Sequence, residues 1–151
     1  MLSTFFVTTE GEKIYFRKLL LSEVKKDYMK SVDYDSEEWY KDHSEKSMIL
    51  IGTLFNNKII ENKIMISIIN DFKKTIEFID NNTQEHYEKV EKAIQQLSCI
   101  VSCIVLNEES KKIYGDLDVY LENQLEFYED KKCISKKNRL VCKNIIFELK
   151  K

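Results

Sequence analysis

The 151-residue sequence contains no proline and only three glycines. All-β sandwiches and barrels use both residues to reverse the chain, so this composition argues against such folds and favours helices. Long apolar runs are missing as well, because no stretch approaches the roughly 18 apolar residues of a membrane-spanning helix. The chain is 43% apolar and 33% charged, which is typical of helices with one buried and one solvated face. At this length we predict one all-α domain over residues 1–151.

The N-terminal segment MLSTFFVTTE lacks the basic region of a signal peptide, so a cytoplasmic location is expected. Residues 1–8, which include Phe5 and Phe6, are expected to be disordered or to cap one end of the fold. In a reducing compartment, cysteines are thiols rather than disulfides. The four cysteines are Cys99, Cys103, Cys133 and Cys142. They form no C-x-x-C pair, and neither histidine lies at ligand spacing, so we expect no metal and no cofactor.

The spacing of apolar residues predicts six helices. Their expected ranges are about 9–30, 36–56, 61–79, 84–106, 110–130 and 135–149. For the second helix, Asp33, Asp35 and Ser36 are candidate N-caps, and Glu37 and Glu38 suit the first turn. Short connections make sequential helices antiparallel neighbours. Such hairpins can stack in chain order as a HEAT-type solenoid or fold into a bundle, and periodicity alone does not separate the two.

Apolar stripes predict which helix faces are buried. Ile64 belongs to the stripe of the third helix and Leu140 to that of the sixth, so both are expected to face the core. Gly52 is more unusual, because a glycine inside a helix costs about 1 kcal/mol relative to alanine. We interpret it as a point of close approach to a neighbouring helix. Asn56 and Asn57 then end the second helix, and the segment is predicted to be a tightly packed hairpin.

Charge is distributed unevenly along the chain. Residues 131–151 hold eight basic residues and one acidic residue, whereas the remaining 130 residues hold 16 basic and 25 acidic ones. The basic residues at 131–139 fall at a predicted loop and helix start, where the backbone dipole favours acids instead. This placement indicates a surface for phosphate groups or an acidic partner.

A second candidate surface surrounds Trp39, which follows the acidic residues Glu37 and Glu38. The surface also includes Asp33, Asp35 and Asp42. An exposed tryptophan among acids suits a binding hot spot, and the alternative is that Trp39 packs on a neighbouring helix. No aromatic residue interleaves with the basic cluster in the sequence, so base-specific reading of RNA is not expected there.

Residues 47–65, SMILIGTLFNNKIIENKIM, resemble the hallmark hairpin of the middle domain of eukaryotic translation initiation factor 4 gamma, a HEAT-repeat domain. The matching positions are Ile51, Gly52, Leu54, Phe55, Lys58, Lys63, Ile64 and Met65. FRKLLLSEVKKDY at 16–28 is similar to the preceding helix of the family, DVYLE at 118–122 to a later one, and the helix with Arg139 to the next. The resemblance covers about residues 14–151 and begins part-way through the family's second repeat. The chain departs from the family pattern at Glu61, Val101 and Leu140.

The resemblance implies a HEAT-type solenoid that acts as a binding scaffold in translation initiation. The implied partner is a DEAD-box RNA helicase, initiation factor 4 alpha, whose two lobes the scaffold would hold in an active arrangement. RNA is implied as a further ligand. The residues expected to bind the helicase are Lys136, Lys137, Arg139, Leu140 and Lys143. Those expected to bind RNA are Lys131 and Lys132.

Catalytic patterns are missing from the sequence. It has no glycine-rich phosphate loop and no set of nucleophile, base and orienting residue, so we do not expect an enzyme. A small-molecule substrate and a membrane partner are not expected either. Related scaffolds of splicing, cap binding and nonsense-mediated decay remain alternatives. So does a small helical-bundle regulator whose likeness to the hairpin is coincidental.

Overall fold

The computed structural model describes residues 10–80 and 82–151, and in this part of the chain the backbone forms seven helices and no strand. The helices are α1 (Glu10–Ser31), α2 (Lys41–Asn56), α3 (Asn62–Ile76), α4 (Gln84–Cys103), α5 (Glu108–Tyr114), α6 (Leu117–Lys131) and α7 (Lys136–Leu149). The predicted all-α class is therefore confirmed. The expectations for residues 1–8, including Phe5 and Phe6, lie outside the described residues.

The connection between α1 and α2 is longer than predicted, because residues 32–40 form turns and α2 begins only at Lys41. Tertiary hydrogen bonds hold these turns. The indole Nε1 of Trp39 donates to the carbonyl of Ser31 at 2.7 Å, and the Tyr34 hydroxyl donates to Gln96 on α4. The prediction that Glu37 and Glu38 lie in the first turn of α2 is wrong. The acidic residue in the first turn of α2 is Asp42.

The predicted fifth helix is divided in two at Gly115, whose φ of 57° ends α5. A reciprocal capping box between Asn107 and Ser110 fixes the start of α5. Two tyrosine hydroxyls then hold α6 on α3: that of Tyr120 donates to the carbonyl of Lys73 at 2.6 Å, and that of Tyr128 to the carbonyl of Ile76.

The helices pack as three antiparallel pairs, α1 with α2, α3 with α4, and α6 with α7. The second helices of these pairs lie in a row, because α4 packs against α2 on one side and α7 on the other. Helix α4 is the most enclosed: Val90, Ala93, Leu97 and Ile100 are completely buried. Hairpins placed side by side produce this pattern of contacts. The more specific assignment to HEAT-type repeats stays a prediction.

Two predicted core positions face solvent instead. Ile64 is 41% exposed and Leu140 is 56% exposed. In each helix a neighbouring residue fills the core, Met65 in α3 and Cys142 in α7. Where apolar residues are close together in sequence, the pattern does not show which of them faces the core. The rotation of the helix about its axis is then set by the helices it packs against.

The close approach predicted at Gly52 is confirmed. A Cβ added there would lie 2.9 Å from the Cβ of Cys103 on α4, closer than side chains can pack. The following turn, residues 56–61, is tied to other elements as well. The Asn56 side chain donates to the carbonyl of Cys103 at 2.8 Å and accepts from the backbone N–H of Val105 at 3.1 Å.

Helix α1 also holds the turn at residues 56–61. The Arg17 guanidinium donates to the carbonyls of Lys58 and Ile59, at 3.2 and 2.9 Å. Lys58 itself adopts a left-handed conformation, with a φ of 61°. We call residues 56–61 the braced turn. Across the described residues, no helix combines the length and apolar character needed to cross a lipid bilayer.

Candidate partner-binding surface at one edge of the fold

The connections within the three helix pairs all contact the N-terminal half of α4. In the α1–α2 connection, Asp35 Oδ2 pairs with Lys89 Nζ at 3.0 Å. In the α3–α4 connection, the carbonyl of Ile79 accepts from the Tyr87 hydroxyl at 3.0 Å. In the α6–α7 connection, the Ser135 N–H donates to Glu91 Oε1 at 2.5 Å. These connections therefore lie along one edge of the molecule, which we call the turn edge.

The α6–α7 turn, residues 131–135, is built by local backbone chemistry. Lys132 has a left-handed φ of 54° and donates its N–H to the carbonyl of Tyr128 at 2.9 Å, which ends α6. Ile134 is buried and anchors the turn. The Ser135 hydroxyl then accepts the N–H of Asn138 at 3.2 Å and caps α7.

This turn presents a group of lysines to solvent. The four are Lys131, Lys132, Lys136 and Lys137. All are exposed, and among the described residues none has a carboxylate partner within ion-pair distance. The first turn of α7 also contains no acid. The positive end of the α7 dipole and the lysines therefore add to one another, which favours binding of anionic groups.

Arg139 differs from these lysines. Its side chain is half-buried, and its Nε is enclosed without a hydrogen-bond partner among the described residues. The adjacent Asn138 is buried, and its Oδ1 accepts from Gln95 Nε2 on α4 at 3.0 Å. Arg139 was expected to bind the helicase together with the lysines, but part of its side chain lies inside the packing around α7.

The exposed face of α7 continues from the lysines to apolar side chains. Leu140 lies one turn after Lys136, and Phe147, which is 65% exposed, lies two turns further on. Between them, Lys143 Nζ pairs with Glu129 Oε1 of α6 at 2.7 Å, so its charge is partly neutralised. Phe147 was not predicted as a surface residue, because Leu140, seven positions earlier, was expected to face the core.

An aromatic platform lies next to the lysines, contrary to the expectation from sequence order. Phe127 is 49% exposed and stacks on Phe78, with ring centroids 5.1 Å apart and planes 4° apart. It precedes Lys131 by one helical turn, so the ring and the ammonium group share a face of α6. Asp130 is exposed in the same turn and weakens the local positive potential.

Trp39 is half-buried, as the packing alternative required. Its ring meets Tyr34 edge-on at 6.0 Å between centroids, and Lys92 Nζ lies 4.5 Å from its centroid. Burial raises the pKa of the Tyr34 hydroxyl well above its ordinary value. The acids Glu37 and Glu38 beside Trp39 are exposed. Residues 33–39, which we call the acidic loop, therefore form a charged surface that is held in place by the packing of Trp39.

The structure brings the two candidate surfaces onto the same edge. The acidic loop contacts Lys89 and Lys92 of α4, whereas Ser135 of the α6–α7 turn contacts Glu91 and Asn138 of α7 contacts Gln95 on the same helix. Surfaces of opposite charge therefore flank the start of α4. Their sequence separation of about 95 residues gave no indication of this.

All four cysteines are free thiols, as expected. Burial raises the pKa of Cys142 to about 12 and that of Cys99 to about 11, so both stay protonated at neutral pH. Within the described ranges, no group of three His, Cys, Asp or Glu side chains is arranged to hold a metal ion.

Comparisons of the chain with protein-family models, with curated proteins and with solved structures found no significant match. The resemblance to the middle domain of initiation factor 4 gamma therefore stays a prediction from the sequence.

Proposed function

We propose that the chain is a non-enzymatic, cytoplasmic scaffold that binds a DEAD-box RNA helicase of the initiation factor 4 alpha type, with RNA as a second ligand. The observation that carries this proposal is the exposed face of α7, where the unpaired Lys136 and Lys137 lie one turn before Leu140 and Phe147 lies two turns further along. Apolar anchors surrounded by charge are typical of protein-binding surfaces. The resemblance of residues 47–65 to the hallmark hairpin supplies the identity of the partner.

The turn edge suits a partner with two lobes. The acidic loop at Trp39 and the basic α6–α7 turn lie on opposite sides of α4, so each can contact a different lobe. A scaffold that contacts one lobe arrangement better than another shifts the helicase towards it without taking part in the chemistry. A tenfold preference needs only about 1.4 kcal/mol of differential contact.

The test measures binding of purified initiation factor 4 alpha and its RNA-dependent ATPase rate. We expect the wild-type chain to bind the helicase and raise the rate. Changing Lys136, Lys137 and Arg139 together to Glu should weaken binding at least tenfold. Because Arg139 is half-buried, the double variant K136E/K137E is measured alongside.

The matched control changes three exposed lysines elsewhere to Glu. These are Lys46, Lys111 and Lys112. The control carries the same change in net charge and should bind within twofold of wild type. A wild-type chain that neither binds nor stimulates the helicase would refute the proposal.

RNA binding rests on the platform formed by Phe127 and Phe78 beside Lys131. Stacking of a base on an aromatic ring contributes about 1–3 kcal/mol. We expect Phe127→Ala to weaken binding of a fluorescent 12-nucleotide oligouridine at least fivefold. Val119→Ala removes an exposed apolar side chain from the same helix and should have little effect. Equal losses in both variants would argue against stacking.

A second candidate function is a small helical-bundle regulator. The enclosure of α4 favours it, because a central buried helix is typical of a bundle rather than of an open row of hairpins. Under this alternative the helicase assay gives no response, while the chain still binds another protein.

A further inference from the structure

A groove runs between α1 and α3 on the side of the molecule away from α7. Its volume is about 780 Å³, and aliphatic side chains form most of its floor and walls. The floor consists of Val24, Ile51 and Ile60, which are buried. Ile64 and Met29, on the walls, are 41% and 58% exposed. We call this feature the α1–α3 groove.

Two hydrogen-bonded contacts close the groove at its ends. At one end Arg17 donates to the carbonyls of the braced turn. At the other end the Tyr28 hydroxyl donates to Asp71 Oδ2 on α3 at 3.0 Å. Between these points α1 packs on α2 rather than on α3. The open length corresponds to about three helical turns, or roughly 16 Å.

The rim of the groove is positively charged. Lys18 and Lys25 lie on the α1 side and Lys63 on the α3 side, and all three are exposed. None of them has a carboxylate partner within ion-pair distance among the described residues. The single carboxylate in the described lining, Asp71, is engaged by Tyr28.

We propose that the α1–α3 groove binds a short amphipathic helix of a partner protein, with apolar residues on one face and acidic residues beside them. Three turns of helix match the length of the groove and would place two or three apolar side chains on its aliphatic floor. Acids flanking that face would meet Lys18, Lys25 and Lys63, so the charges are complementary. Nucleic acid fits less well, because no aromatic ring on the floor offers a surface for stacking bases.

The proposal does not depend on helicase binding, because the groove residues belong to α1, α2, α3 and the braced turn, whereas the proposed helicase surface consists of α7, the α6–α7 turn and the acidic loop. The test selects from a display library of random 14-residue peptides against the immobilised full chain. Enriched peptides are synthesised with a fluorophore, and their affinities are measured by anisotropy. We expect net negative charge and apolar residues at i, i+3 or i+4, and i+7.

Two variants test whether the enriched peptides bind in the α1–α3 groove. K25E/K63E should weaken the enriched peptides at least tenfold, and replacing their acids by lysine should restore binding to that variant. The control K111E/K112E alters two exposed lysines on α5 and should bind within twofold of wild type. Ile64→Glu places a charge on the groove wall and should also abolish binding.

The proposal is overturned if no peptide is enriched, if the enriched peptides carry no net negative charge, or if K25E/K63E binds them as wild type does. It is also overturned if removal of residues 1–9 raises peptide affinity tenfold, since the chain's own N-terminal segment would then be the occupant. A wild-type dimer in light scattering that Ile64→Glu dissociates would identify a second copy instead. Circular dichroism confirms that each variant is folded.

Discussion

Two turns of this chain each contain a lysine in the left-handed conformation, Lys58 in the braced turn and Lys132 in the α6–α7 turn. Arg17 of α1 donates to carbonyls of the braced turn. Asn56, the first residue of that turn, bonds to Cys103 and Val105. The α6–α7 turn is contacted by two side chains of α4, Glu91 at Ser135 and Tyr87 at Cys133, but its lysines are unpaired among the described residues. The first turn serves the packing of the fold, and the second leaves its charges available to a partner.

The largest expected effect is at Gly52, just before the braced turn. In Gly52→Leu even the first added carbon would lie 2.9 Å from Cys103 Cβ, so α2 must move away from α4. We expect the free energy of unfolding to fall by about 3 kcal/mol. Thr53→Leu adds a similar side chain at the next, exposed position and should change stability by less than about 0.5 kcal/mol. Urea unfolding followed by circular dichroism measures both, and similar values would remove the special role of Gly52.

A smaller effect is expected at Asn56, whose amide makes one hydrogen bond to the last residue of α4 and one to the segment after it. Asn56→Ala leaves the carbonyl of Cys103 and the N–H of Val105 without this partner, and should cost about 1–2 kcal/mol. Asn57→Ala is the control, because the Asn57 side chain donates only to Thr53 in its own helix. If the two variants are equally stable in urea, the braced turn is not held through Asn56.

The contact between Tyr28 of α1 and Asp71 of α3 adds a pH dependence to stability. Burial and the neighbouring Asp71 carboxylate raise the pKa of Tyr28 above its ordinary value of 10.0. The folded state therefore keeps the proton that the unfolded state loses, and this contribution to stability is present below about pH 10 and declines as the pH rises above it. Between pH 8 and 10.5, the urea midpoint of Tyr28→Phe should fall less than that of wild type. Tyr40→Phe, at an exposed tyrosine, should follow wild type.

The smallest change in stability is expected when either left-handed lysine, Lys58 or Lys132, is replaced by glycine. A side chain in the left-handed conformation costs about 1 kcal/mol, and both Lys58→Gly and Lys132→Gly remove this cost. Glycine also increases the entropy of the unfolded chain, which offsets part of the gain. We expect both variants to gain about 0.5 kcal/mol or less in stability. Only Lys132→Gly should weaken binding of the oligouridine. A loss of RNA binding in Lys58→Gly as well would show that the two turns do not differ in function.

Much of the fold could be predicted from local patterns. The buried stripe of α4 and the close approach at Gly52 both follow from spacing and helix propensity. The end of α5 at Gly115 was also signalled, because glycine readily adopts the positive φ found there, but the prediction continued the helix through it. The late start of α2 had no local signal, since the bond from Trp39 to Ser31 joins residues whose proximity depends on the folded loop.

The candidate site was predictable in composition but not in arrangement. The unpaired lysines of the α6–α7 turn were identified from charge alone. Phe127 and Phe78 are 49 positions apart in sequence, so their stacked platform requires the contact of α6 with α3. Likewise, only the packing on α4 brings the acidic loop and the α6–α7 turn onto the same edge of the molecule. Residue spacing describes one helix at a time and does not show which residues of different helices come into contact.

The two hydrogen-bonded ends of the α1–α3 groove have a consequence for selectivity. Because Arg17 and Tyr28 fasten α1 near both limits of the groove, widening it requires bending the helix rather than swinging it outward as a rigid rod. We therefore expect the groove to bind peptides with aliphatic side chains more tightly than peptides with the wider indole or phenol rings, which would require that bending. Removing the contact of Arg17 or of Tyr28 should reduce this selectivity.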